Sequence, residues 1–178
     1  MNDIILITRA FNFASDRHSE QRRKGQAQEP YINHLAEVAQ LVAEATSGTD
    51  PNLVAAALLH DTVEDTQTEP SELATVFNED VASLVGEVTD DKSLRKEERK
   101  AIQIAKAPQK TPRAKILKLA DKTSNLRSIA KSPPENWDSV RKAEYIDWAV
   151  KVVNGLGDVP RALKNHFNTA VQRAKEAT

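Results

Sequence analysis

The sequence predicts an all-α protein, and three observations predict it. Apolar residues recur at spacings of three and four instead of alternating, which is the period of helices with one buried face. Proline follows a capping residue in Asp50-Pro51 and again in Thr111-Pro112; it is tolerated at the first helical position and breaks a helix further in. Only five glycines occur in 178 residues, which leaves little of the turn chemistry that hairpins need.

Taken in order, Ile4, Ile7, Phe11 and Ala14 form a first stripe that ends before Arg22-Arg23-Lys24. A loop over 25–31 leads to Leu35, Val38, Leu41, Val42 and Ala45, with Asn33 expected as the cap of this second helix. Asp50-Pro51 opens Val54 to Asp61, apolar nearly all round and therefore a buried helix. Pro70 starts a short helix through Leu73, Val76 and Phe77, and Asn78 caps the next, with Val81, Leu84, Val85 and Val88. Ser93 is expected to open a charged helix with Ile102 and Ile104, and Thr111-Pro112 begins one with Ile116, Leu119, Leu126 and Ile129. Pro133-Pro134 breaks the chain before a helix with Tyr145, Trp148 and Val152 that ends near Gly155 or Gly157. A terminal helix through Leu163, Phe167 and Val171 carries Pro160 in its first turn. The count is about nine helices, expected to form a single domain over residues 1–178, a usual domain size.

Charge and cysteine content narrow the chemistry. With 25 Lys and Arg against 26 Asp and Glu, the chain lacks the basic excess of a dedicated nucleic-acid binder. No cysteine is present, so disulfides, thiolate nucleophiles and cysteine-ligated metal sites are excluded. No stretch approaches the ~18 apolar residues of a membrane span, and Asp3 to Ile7 lacks the basic start and length of a signal peptide. A cytoplasmic protein is expected, its metal chemistry limited to histidine and carboxylates.

The strongest local signal is His60-Asp61-Thr62-Val63-Glu64-Asp65. It follows the apolar run Ala55–Leu59, where an uncompensated carboxylate is costly. On one continuous helix His60 and Glu64 share a line and Asp61 and Asp65 the adjacent one, each pair ~6 Å apart along the axis. Three carboxylates beside an imidazole repel one another unless a cation gathers them; solvated acids at a helix end are the plainer alternative. Read alone, His34 is a surface residue at a helix start. Asp121 stands four residues after Leu117 and four before Asn125; taken alone, a surface pairing with Lys118 is the preferred account of it.

Together, His34, His60-Asp61 and Asp121 reproduce the H…HD…D order of HD-domain metal-dependent phosphohydrolases. The blocks Arg22-Arg23-Lys24, Tyr31-Ile32-Asn33-His34, Ala57 to Thr66, Val88-Thr89-Asp90-Asp91-Lys92 and Lys118 to Lys122 resemble the hydrolase domain of RelA/SpoT-type proteins. The chain is most similar to the free-standing small alarmone hydrolases, those related to the metazoan SpoT homologue, over about residues 9–157.

The resemblance implies hydrolysis of the 3′-pyrophosphate of guanosine tetra- or pentaphosphate, giving GDP or GTP plus pyrophosphate. It implies that His34, His60, Asp61 and Asp121 hold one divalent ion, Mn²⁺ in this family; the mixed N/O donor set also suits Zn or Fe. Glu64 and Asp65 match the catalytic acidic pair. Arg23, Lys24, Asn125 and Tyr145 match nucleotide-side positions, while Lys92, Lys96, Arg99 and Arg113 are candidate phosphate contacts that read more simply as a charged helix face. Ser124 departs from the tyrosine many relatives carry there. His18 reads as structural, and His166 lies outside the match. Two alternatives stand beside this reading: an HD hydrolase of another phosphorylated nucleotide, and a non-catalytic alarmone-binding module.

Overall fold

The computed structural model describes residues 2–178 and is all-α, as expected. It contains ten α-helices among the described residues, one of them a single turn. The chain divides into two compact units: one joins the residues up to Gln21 to Pro30–Leu94, the other joins Arg22–Glu29 to Arg95–Thr178. No helix among the described residues is long and apolar enough to cross a membrane.

The first unit is built around α3 (Pro51–Leu59), which packs against α1 (Asp3–Arg17), α2 (Ile32–Ala45) and α6 (Glu79–Val88). Asp50 caps α3 through the amide of Leu53, with Pro51 in the first turn. Every residue from Leu53 to Leu59 is buried, as a helix surrounded by helices requires. The short α4 (Thr62–Asp65) follows directly, and α5 (Pro70–Val76) packs on α6, whose cap is Asn78 accepting from the Val81 amide.

Three sequence expectations need correction in this unit. The buried stripe of α1 is Leu6, Ala10 and Ala14, while Ile4, Ile5 and Phe11 face solvent at 72, 52 and 46 % exposure. The small residues win because α1 packs closely on α3, where alanine lets two helix axes approach. The cap position of α2 is Tyr31, with no side-chain cap bond, and Asn33 lies inside the helix. Finally, His60 and Asp61 do not continue α3. They form a break between two helices, fixed by the buried Thr62 hydroxyl donating to the Leu59 carbonyl at 2.6 Å. Side-chain competition for a carbonyl of this kind bends or ends a helix.

In the second unit α8 (Pro112–Lys131) packs against α9 (Ser139–Gly155) and α10 (Arg161–Glu176), and α7 (Lys96–Lys106) packs on α9. Thr111 caps α8 through Ala114 and Asp138 caps α9 through Arg141. Ser93 is not the cap of α7: it bonds Asp91, and Arg95 and Glu98 close the first turn instead. Pro160 is likewise the residue before α10 and not part of its first turn.

Candidate metal centre and nucleotide-side groups

The break after α3 brings together three of the expected residues in the first unit. His34, in the first turn of α2, and His60, at the end of α3, are buried, their ring centroids 5.2 Å apart. The His34 found here is no surface residue. Asp61 Oδ2 lies 3.2 Å from His60 Nε2 and 3.6 Å from His34 Nε2, and it accepts the Tyr31 hydroxyl at 2.6 Å.

The tautomer of His60 follows from its other nitrogen. Nδ1 lies 2.8 Å from the Ala57 carbonyl oxygen, and a carbonyl only accepts, so Nδ1 carries the proton. In the neutral ring Nε2 is then a lone pair aimed at a carboxylate oxygen. Two acceptors at that distance need a cation between them, either a proton on Nε2 or a metal ion. Anchoring one ring nitrogen on a carbonyl while the other faces outward is the usual preparation of a metal-binding histidine. The residues therefore fit a divalent ion.

The acidic pair stands one turn on. The Asp65 amide bonds the Asp61 carbonyl at 2.8 Å, which holds the turn together. Glu64 is half-buried and accepts from the Asp90 amide at 3.1 Å. Burial pushes its carboxyl up from the ordinary 4.5, with the neighbouring Asp61 charge adding to the effect. Asp65 pairs with Lys92, so that lysine belongs to the acidic pair and not to an anonymous charged face.

The second unit gathers Asp121, Asn125 and Arg23. Asp121 is buried in mid-α8, its Oδ1 accepting from Asn125 Nδ2 at 2.5 Å and its Oδ2 3.0 Å from Lys122 Nζ. The i, i+4 line from Asp121 to Asn125 is thus real, and the bland surface pairing gives way to a buried network. Arg23 donates to Asn125 Oδ1 at 3.1 Å, and Lys24 is exposed. Gly25 allows this approach: a Cβ there would lie 2.1 Å from the Ser132 carbonyl oxygen, and the Ser132 hydroxyl accepts from the Ala27 amide at 2.9 Å.

Tyr145 is half-buried between Trp137 and Trp148, at centroid distances of 5.4 and 5.2 Å. Sequence reasoning missed Lys122 and Trp148. Lys122 is buried with its ammonium 4.5 Å from the Trp148 ring centroid, a cation–π geometry. A lysine directly beside Asp121, just after the apolar Leu119-Ala120, was the available signal.

Residues 10–147 match the HD domain family, to which this chain belongs. Within it, the chain is 48 % identical to guanosine-3′,5′-bis(diphosphate) 3′-pyrophosphohydrolase MESH1 of Xenopus tropicalis, over 87 % of each chain. It is 46 % identical to the Homo sapiens protein of the same name, over 89 % of this chain and 88 % of that one. A solved metazoan orthologue of SpoT that hydrolyses ppGpp has the same fold, with a TM-score of 0.90 and 39 % identity over 96 % of both chains. The family resemblance carried by the motifs is borne out.

Proposed function

We propose that this chain hydrolyses the 3′-pyrophosphate of guanosine tetra- or pentaphosphate, releasing pyrophosphate and GDP or GTP. The observation that carries the reading is the convergence of His34 and His60 Nε2 on the Asp61 carboxylate, one turn before an acid of raised proton affinity. The relatives named above carry this activity in their names. A single catalytic domain formed by the whole chain and a cytoplasmic site of action belong to the same proposal.

His34, His60, Asp61 and Asp121 would hold one divalent ion, which we assign as Mn²⁺; two imidazoles and two carboxylates also accept Zn²⁺ or Fe²⁺. When bound, the ion supplies Lewis acidity that activates water and polarises the attacked phosphoryl group. The protein's own groups do the rest. Glu64, whose burial raises its affinity for a proton, is placed to take up or give a proton in the reaction. Asp65, oriented by Lys92, orders the attacking water from its neighbouring turn. Arg23, Lys24, Asn125 and Tyr145 receive the nucleotide, with the Arg23 guanidinium suited to phosphate or base.

The test is product analysis with Mn²⁺ on ppGpp, set against GTP, dGTP and NADPH. The reading expects GDP and pyrophosphate from ppGpp in preference to any turnover of the others. Preferred turnover of a different nucleotide would move the chain to another HD phosphohydrolase activity, and binding of ppGpp without turnover would make it an alarmone-binding module.

A further inference from the structure

His18 follows α1 as its C-terminal cap and is 2 % exposed. Its Nδ1 lies 2.6 Å from Gln21 Oε1, and Gln21 Nε2 donates to Asp65 Oδ2 at 3.1 Å. The proton inventory of this chain is forced. A carboxylate accepts, so Gln21 turns its nitrogen to Asp65 and its oxygen to His18, and His18 Nδ1 must be the protonated nitrogen. Donation therefore runs one way, from His18 through Gln21 to Asp65. Lys92 faces the other oxygen, Oδ1, so the two donors together set the plane of the Asp65 carboxylate.

The same imidazole has a second engagement. Its ring stacks on Tyr31, with centroids 5.1 Å apart and planes 24° from parallel. The Tyr31 hydroxyl is the group that donates to Asp61 Oδ2 at 2.6 Å, and the same ring meets His34 edge-on at 5.6 Å. One buried histidine thus supports two arms that end on two different carboxylates.

We propose that His18 is a positioning residue with separable arms: through Gln21 it orients Asp65, and through the stacked Tyr31 it orients Asp61. The proposal rests on the reading of Asp61 as a metal ligand and Asp65 as a catalytic acid. Outer partners that hold ligands in place are typically worth 10–100-fold in metal affinity or activity, because a ligand free to rotate must be ordered at the moment of binding.

Two substitutions of His18 separate the arms. Asparagine sets an amide N–H near the position of Nδ1 but has no ring, so His18→Asn keeps the Gln21 arm and loses the stack. Phenylalanine keeps a ring and lacks the donor, so His18→Phe does the reverse. Tyr31→Phe and His18→Asn are expected to weaken binding of Mn²⁺ alone, read by titration calorimetry, by about tenfold or more, with kcat at saturating Mn²⁺ within about twofold. Gln21→Met and His18→Phe are expected to lower kcat on ppGpp by about tenfold or more while the Mn²⁺ Kd stays as in the parent. Should the His18 variants fail to fold, Gln21→Met and Tyr31→Phe decide alone. No change, or parallel losses in both readouts in every variant, overturns the proposal. Failure of the underlying reading looks different: the parent then binds no Mn²⁺, or Asp61→Ala binds it as the parent does.

Discussion

Lys122 holds its ammonium 3.0 Å from the Oδ2 of Asp121, and both side chains are more than nine-tenths buried. Neighbours in sequence, they form a buried ion pair within α8, with the Trp148 ring against the lysine. Removing one member of a buried pair leaves the other charge uncompensated, at a cost of about 3–5 kcal/mol. Lys122→Met is therefore expected to lose about 3 kcal/mol in urea melts run with EDTA. Mn²⁺ should return part of that loss, since a divalent ion on Asp121 replaces the missing positive charge. A deficit of the same size with and without Mn²⁺ would speak against Asp121 as a ligand.

Metal binding and turnover should separate between two carboxylates a turn apart. Asp61→Ala removes an anion from the histidine cluster and should abolish both bound metal and activity. Glu64→Ala should retain the metal, measured by elemental analysis after dialysis, while kcat falls by about 10²-fold or more, the usual contribution of a positioned acid or base. An unchanged kcat would remove Glu64 from the reaction.

The raised proton affinity of Glu64 has a sign that stability measurements can read. Burial, and then Asp61, make the folded chain hold this proton more tightly than the unfolded chain, whose value is near 4.5. The contribution is thus fully present below the unfolded value and drains away as pH rises through the folded one. In metal-free protein, Glu64→Gln should match the parent Tm near pH 4 and exceed it as pH rises above the unfolded value, the advantage levelling off once the folded carboxyl is ionised. Bound Mn²⁺ should shrink that advantage by favouring the ionised carboxylate. A difference that does not vary with pH would count against the assignment.

Gly25 is required by contact, since any Cβ would strike the Ser132 carbonyl. Gly25→Ala should displace the segment that carries Arg23 away from Asn125 and raise KM for ppGpp by about tenfold, the worth of one charge-assisted hydrogen bond. Its Mn²⁺ affinity should stay within about twofold of the parent. Steady-state kinetics beside metal titration would check this, and an unaltered KM would show that Arg23 does not contact substrate.

On α1, the phase of the buried stripe can be tested directly. Ala10→Leu forces three extra carbons into a contact with no exposed surface, on the face only the observed stripe uses, and should cost about 1–3 kcal/mol. Phe11→Ser, on the exposed side, should stay within about 0.5 kcal/mol of the parent. Urea denaturation of the two variants distinguishes the faces, and the opposite ranking would restore the stripe read from Ile4, Ile7, Phe11 and Ala14.

Local chemistry was legible without a structure wherever a short stretch carries its own signal. The caps at Asp50, Asn78 and Thr111, the buried run before His60 and the all-α class follow from spacing and side-chain type, because a helix satisfies its backbone within one segment. The ordered motif blocks identified the family for the same reason: the residues of each block lie together in sequence. Tertiary packing decided the rest. Periodicity alone could not choose between two stripes of α1, since alanine and isoleucine both suit a helix and only the closeness of α3 favours the smaller residue. Nor could spacing place the helix break at His60-Asp61, which depends on the Thr62 hydroxyl taking the Leu59 carbonyl. The partners of the acids, Tyr31 on Asp61 and Gln21 on Asp65, lie 30 and 44 residues away in sequence. No local propensity encodes such a hydrogen bond, because it forms only when folding has brought the two segments to within 3 Å or so of each other.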